Sequence, residues 1–339
     1  MATGLEVPWA MAFAPDGRIF VTERPGRIRV IENGRLRAEP WATLPVYAED
    51  ESIRPESGLM GIALAPDFAT SGQLYIVGTF WKSESARAPS LPARAVRRIA
   101  GLFSSAASTP WENRVYRLTD RGGYGVDARV VVDDLPANYY HAGGGLAFGP
   151  DGMLYATIGD ALHPDDAADR TSLAGKVLRY GPDGSIPADN PMPGSPVFAL
   201  GLRNTQALAW HPRTGELFGA DHGPSGMAQE GGRADRDELN VIAPAGDYGW
   251  PRVAGLDAGA GAYVRPIAVW TPAITPSGMA FYTGPEPAWA GSLFLGGLRG
   301  RRLTRLTLAR EAGRWRAAAE DSLLAGAVGR IRAVRMGPD

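Results

Sequence analysis

Cysteine is absent from the 339-residue chain, which excludes disulfides, thiolate metal sites and cysteine nucleophiles and leaves the redox compartment open. No run of about 18 apolar residues occurs, so no transmembrane span is expected. An excess of one charge is also missing: 35 Lys and Arg face 36 Asp and Glu, a net charge of -1. That balance removes the simplest case for a nucleic-acid partner, which needs a positive surplus or patch. Histidine is scarce, with four in the chain, and no histidine pair suits zinc. The N-terminus has neither the basic nor the apolar part of a signal peptide. The protein is therefore expected to be cytoplasmic if this N-terminus is native, and exported if a leader has been removed.

Turn-forming residues are abundant. Glycine (44) and proline (28) together make about one residue in five, well above ordinary usage. This disfavours a helical bundle and suits short strands joined by hairpins. One phrase recurs: alternating apolar residues, a Pro-Asp-Gly turn or a relative of it, then an apolar strand. It reads Met11-Ala12-Phe13-Ala14-Pro15-Asp16-Gly17, then Gly61-Ile62-Ala63-Leu64-Ala65-Pro66-Asp67, then Leu146-Ala147-Phe148-Gly149-Pro150-Asp151-Gly152. Looser copies start at Leu208, Met279 and Val334. Proline sets φ for the turn, aspartate caps it and glycine supplies positive φ. With Phe13, Leu64, Phe148, Trp210, Phe281 and Met336 as equivalents, the mean spacing is roughly 65 residues, longer than a usual propeller blade. The expectation is a single all-β domain over residues 1–339: a six-bladed β-propeller of four-stranded antiparallel blades, with loops carried on one face. The sixth repeat has no strand after its Pro-Asp turn, so the last blade is expected to be incomplete at the C-terminus. An insertion at about 82–110 separates repeats two and three. Within it, Val96, Ile99, Leu102 and Phe103 fall at helical spacing, which predicts an amphipathic surface helix.

Residues just before the inner strands are the places for chemistry. His141 lies in Tyr139-Tyr140-His141-Ala142-Gly143-Gly144-Gly145, where it could serve as a general base or merely fill a tight turn. Arg203 and Asn204 hold the equivalent place before repeat four, a fixed cation and an amide suited to polarising a carbonyl. The stretch from Asp221 through Asp237-Glu238-Leu239-Asn240 to Tyr248-Gly249-Trp250-Pro251 offers carboxylates and loop carbonyls of the kind calcium takes, or a plain acidic loop. Arg299, Arg330 and Arg332 precede or enter late strands, where they suit a multiply carboxylated ligand or blunt blade edges.

Ordered blocks along nearly the whole chain carry a resemblance. They include Gly4-Leu5-Glu6-Val7-Pro8-Trp9, Glu56-Ser57-Gly58-Leu59-Met60-Gly61, His141 with its glycines, and Leu173-Ala174-Gly175-Lys176. Gly201-Leu202-Arg203-Asn204, His222-Gly223-Pro224, Asp237-Glu238-Leu239-Asn240 and Gly329-Arg330-Ile331-Arg332 continue it. Together they resemble the soluble pyrroloquinoline-quinone (PQQ) dependent aldose sugar dehydrogenases of the glucose/sorbosone dehydrogenase group. The resemblance implies oxidation of an aldose to its lactone, with electrons passed from PQQ to an external acceptor that the sequence does not identify. It implies His141 as general base, Arg203 and Asn204 at the quinone oxygens, and Arg299, Arg330 and Arg332 at the cofactor's carboxylates. Glu56 stands where some relatives place a glutamine that contacts the cofactor. Gly223 and Pro224 match carbonyl donors to a cofactor-bound Ca²⁺; Glu238 and the Tyr248 carbonyl match a second calcium position. A periplasmic location is the family expectation. The rival readings are a calcium-dependent lactone or ester hydrolase and a non-catalytic binding propeller.

Overall fold

The computed structural model describes residues 2–47, 56–83, 109–257 and 260–338. Among these residues twenty-one strands form five antiparallel sheets, each built from strands consecutive in the chain. Sheet I holds β1 (Pro8–Phe13), β2 (Ile19–Glu23), β3 (Arg27–Glu32), β4 (Arg35–Leu36) and β5 (Ala42–Thr43). Sheet II holds β6 (Leu59–Leu64), β7 (Gln73–Trp81), β8 (Trp111–Arg121) and β9 (Tyr124–Leu135). Sheet III is β10 (Leu146–Phe148), β11 (Leu154–Ile158), β12 (Lys176–Tyr180) and β13 (Val197–Ala199). Sheet IV is β14 (Thr205–Trp210), β15 (Leu217–Asp221), β16 (Asp237–Ile242) and β17 (Ala268–Trp270). Sheet V is β18 (Pro276–Phe281), β19 (Leu293–Gly297), β20 (Leu303–Glu311) and β21 (Arg314–Leu323).

The repeated phrase folds as its turn chemistry dictates. Phe13 pairs with Ile19, Leu64 with Leu74, Phe148 with Leu154, Trp210 with Leu217 and Phe281 with Leu293. Each pair closes the hairpin of the first two strands of its sheet. Asn33 and Gly34, both at positive φ, make the two-residue turn joining β3 to β4.

The core lies between sheets. Apolar clusters fill the spaces between I and II (Phe20, Ile62, Ile76), II and III (Tyr75, Leu146, Leu178), III and IV (Tyr155, Leu208) and IV and V (Phe218, Phe281). Burying a residue such as Phe20 contributes roughly 2–3 kcal/mol. Sheets stacked in series through their faces, with first strands gathered together, are the packing of a β-propeller.

Among the described residues the sixth repeat has no sheet of its own, so the expected six four-stranded blades reduce to five sheets and a segment. Gly329–Pro338 is in no strand, contrary to the placing of Arg330 and Arg332 at a late strand. The segment runs beside β18: the Ser277 hydroxyl donates to the Ile331 carbonyl (2.8 Å), and the Ile331 N–H donates to Gly297 O (3.3 Å). On its other side the Arg332 guanidinium stacks on Trp9 of sheet I, 3.2 Å from the ring centroid. The segment thus fills the gap between the last sheet and the first. The helix expected at Ala93–Phe103 lies outside the described residues.

Candidate active site

The residues before the first strands converge at one end of the assembly. Register shifts near the starts of β1, β6, β14 and β18 kink these strands where they enter their sheets, and such bulges re-aim the side chains beside them. Glu56, His141, Arg203, Asn204, Gly223 and Arg299 line one cavity of about 190 Å³, together with Pro224. The structure therefore brings together residues separated by up to 243 positions between Glu56 and Arg299.

His141 is buried and held at φ 56°, the left-handed region that costs a non-glycine residue energy. Its backbone fits because the neighbours are small. A Cβ on Gly143 would sit 2.3 Å from the Thr157 carbonyl, and one on Gly159 would sit 2.0 Å from the His141 carbonyl. The imidazole is fixed at both nitrogens. Nδ1 lies 2.6 Å from Asp160 Oδ1, and Nε2 lies 2.7 Å from Arg203 Nη2. A guanidinium can only donate, so Nε2 accepts and carries the lone pair, while Nδ1–H donates to the carboxylate. The tautomer with a basic Nε2 follows from its partners.

Asp160 is buried. Its Oδ1 accepts from the Leu162 N–H (3.0 Å) and its Oδ2 from the Trp250 indole N–H (2.8 Å). Burial alone would raise its carboxyl. The charges of His141 and Arg203 and these hydrogen bonds outweigh burial and hold it below the usual carboxylate range. Sequence reasoning passed over Asp160, although an aspartate two residues after the buried strand β11 is a visible signal. It also passed over Glu230 and gave His222, in the block His222-Gly223-Pro224, no role of its own.

Arg203 is buried against Glu230, with Nε donating to Oε1 at 2.5 Å. Nη1 donates to the His222 carbonyl (3.1 Å) and Nη2 to the Ser225 hydroxyl (2.8 Å). Asn204 accepts from the Gly143 N–H (3.0 Å) and donates Nδ2–H to Glu56 (3.1 Å). Glu56 Oε2 also accepts from the His141 N–H (2.9 Å) and from Gln206 Nε2 (3.4 Å). Burial pushes this carboxyl up, but His141, His222, Arg332 and the Asn204 amide hold it lower on balance. His222 donates Nε2–H to Pro276 O (2.7 Å), and burial keeps its imidazole below the usual histidine range.

The late arginines separate. Arg299 lines the cavity and pairs with Asp235 (3.0 Å). Arg332 lies outside the cavity lining, donating to Gln206 Oε1 (2.6 Å) and so reaching Glu56 through one amide. Arg330 is exposed and lines no described cavity beside His141.

Gly223 and Pro224 sit in the cavity wall. Glu238 and Tyr248 are buried outside it. Burial, with Asp221 close by, pushes the Glu238 carboxyl up to about 7. Asn240 Nδ2 donates to Glu238 (3.0 Å), while Asn240 Oδ1 is buried with no hydrogen-bond partner. A raised carboxyl beside an orphaned amide oxygen is a donor set that a hard dication would satisfy. No group of three or more His, Asp or Glu side chains in metal-binding array occurs among the described residues, so most ligands would be carbonyls or water.

The comparisons agree in direction. A family model described as Glucose / Sorbosone dehydrogenase matches residues 5–339. Aldose sugar dehydrogenase YliI of Escherichia coli is 28% identical over 99% of this chain and 85% of its own length. A crystal structure of an oxidoreductase described as a glucose dehydrogenase, from Thermus thermophilus, is 41% identical with a TM-score of 0.81, covering 100% of this chain and 90% of that one. The PQQ-bound form of aldose sugar dehydrogenase from Streptomyces coelicolor is 32% identical with a TM-score of 0.76, covering 98% and 85%.

Proposed function

Because the chain belongs to the glucose/sorbosone dehydrogenase family, we propose that it is a PQQ-dependent sugar dehydrogenase that oxidises an aldose at its anomeric carbon to the lactone. The observation that carries the reading is the buried His141, its Nδ1–H held by Asp160 and the Nε2 lone pair turned to Arg203 in a cavity shared with Asn204 and Arg299. PQQ, when bound, supplies the two-electron acceptor for the hydride that leaves C1.

The protein's part is proton transfer, orientation and electrostatics. Once substrate displaces the Arg203 contact, His141 Nε2 takes the anomeric hydroxyl proton, and Asp160 stabilises the imidazolium that results. Arg203 and Asn204 donate hydrogen bonds where negative charge develops, and Arg299 offers a cation to carboxylates, with Arg332 and the exposed Arg330 as further candidates. Glu56 opposes these cations, with Asp235 and Asp237 also in the cavity wall. The carbonyls of Gly223 and Pro224 would hold a Ca²⁺ at the cofactor, and Glu238 with the Tyr248 carbonyl would hold a second. Oxidation of free sugar with an external acceptor suits a periplasmic enzyme, and the same reading gives residues 331–338, irregular as they are, the place of a sixth blade's first strand.

The test is a titration with PQQ in the presence of calcium, followed by dye reduction with glucose. Saturable binding with sugar-dependent turnover is expected. His141→Ala should retain the PQQ absorbance change and lose turnover. No saturable PQQ binding would overturn the reading.

A further inference from the structure

At the end of the assembly away from His141, the first strands enclose a second cavity, of about 450 Å³. Its wall is the repeat itself: Phe13, Leu64, Phe148, Trp210, Phe281 and Met336 all contribute. The residue before each of these forms a ring. Five of the six are alanines, Ala12, Ala63, Ala147, Ala209 and Ala280, and the sixth is Arg335. Along a strand alternate residues face opposite ways. Aromatic members of the first set accordingly turn into the spaces between sheets, Phe148 against Tyr75 and Trp210 against Tyr155. Ala12, Ala147, Ala209 and Ala280 keep partial exposure towards the cavity.

Five methyl groups leave open space, and one guanidinium enters it. Among the described residues no carboxylate lines this cavity. Arg335 reaches only two backbone carbonyls, Met279 O at 3.4 Å and Val334 O at 3.3 Å, both long for hydrogen bonds. Arg335 is partly exposed at the cavity, burial lowers its guanidinium below the ordinary arginine range, and among the described residues no acid is paired with it. A cation without an acidic partner is open to an anion, and a pocket of this size with one converging charge is a usual form of a small-ligand site.

We propose that this cavity binds a small amphiphilic carboxylate, its apolar body among the alanine ring and its carboxylate on Arg335. The forked guanidinium takes a carboxylate through two parallel hydrogen bonds, and no other polar side chain of the ring competes for it. The site is separate from the candidate active site and does not depend on the sugar dehydrogenase reading.

The experiment is calorimetric titration with octanoate, with 1-octanol as the uncharged control. One octanoate per chain is expected, with 1-octanol at least tenfold weaker. Arg335→Met should bring octanoate down to the level of 1-octanol, and Ala147→Leu, which fills the ring, should abolish binding. Thermal unfolding verifies that each variant is folded. Ala12→Leu repeats the filling test from sheet I should Ala147→Leu fail to fold. Saturating PQQ should leave octanoate binding unchanged. Octanoate binding within twofold of the parent in Arg335→Met, equal binding of 1-octanol, or no binding at all would overturn the proposal.

Discussion

His141 and Asp160 meet at 2.6 Å, ring nitrogen to carboxylate, with Trp250 holding the second carboxylate oxygen at 2.8 Å. Nineteen residues apart in the chain, they are joined because β10 and β11 are paired neighbours in sheet III, which places the segment before one strand beside the segment after the other. The contact orients the imidazole and compensates the charge it gains on taking a proton. Asp160→Asn keeps the shape but offers an amide that can drive the wrong tautomer, as loss of an orienting carboxylate does elsewhere. Turnover should fall by roughly 10²–10⁴-fold with little change in KM. Steady-state kinetics on the PQQ-loaded protein measure it, and a change confined to KM would refute the orienting role.

Glu56 makes a second prediction. Its Oε2 accepts from three N–H groups, of His141, Asn204 and Gln206, and an amide oxygen can accept the same three bonds. Glu56→Gln therefore removes a charge without removing the network. A polycarboxylate entering the cavity meets one like charge fewer, with Asp235 and Asp237 unchanged, so PQQ should bind about tenfold more tightly, about 1.4 kcal/mol. Titration of both proteins with PQQ at equal calcium decides it. Equal affinity would mean that the cofactor lies beyond the reach of the carboxylate.

The repeat made the fold legible, since Pro-Asp-Gly turns between apolar alternations specify hairpins locally, and the pairings Phe13–Ile19 and Phe148–Leu154 follow from that chemistry. The sixth copy, at Val334–Asp339, has the phrase without a partner strand, and pairing is a property of two segments. Arg203 and Asn204 were legible because they stand in the register position of His141. Asp160, Glu230 and Trp250 were not. Each acts through a contact across 19 or more residues, and no local periodicity encodes which buried carboxylate meets which ring. Arg330 and Arg332 stand two positions apart where a late strand is expected; the segment is irregular, and Arg332 stacks on Trp9 while Arg330 faces solvent.

Lys176 supports the active loop from beneath. It is buried, and its ammonium donates to the carbonyls of Asp166 and Ala167 (2.9 Å each) and of Ala174 (2.6 Å). The first two belong to the short helix α1 (Pro164–Ala168), which follows Asp160 closely in the chain. Lys176→Met leaves buried carbonyls without donors and should cost roughly 2–4 kcal/mol. Chemical denaturation measures it, and a loss below about 0.5 kcal/mol would show that water replaces the ammonium at these carbonyls.

The last prediction concerns pH. Burial raises the Asp221 carboxyl to about 6 and that of Glu238 to about 7, both above the ordinary values of an unfolded chain. At these two groups the folded protein binds more protons than the unfolded one between about pH 4 and 7. Their contribution to stability rises as pH falls through that window and is lowest once both are ionised, above about pH 7; His211 and His222, lowered by burial, work in the opposite sense. The melting temperature of the metal-free parent relative to that of Glu238→Gln should thus be higher at pH 6 than at pH 8. That variant removes one buried charge and should gain on the order of 1–3 kcal/mol at pH 8, with little gain at pH 5. Calcium should act oppositely. A dication at Glu238 favours the ionised form, so its stabilisation of the parent protein should grow from pH 6 to pH 8 and be lost in Glu238→Gln. Calcium stabilising parent and variant alike would place the ion elsewhere.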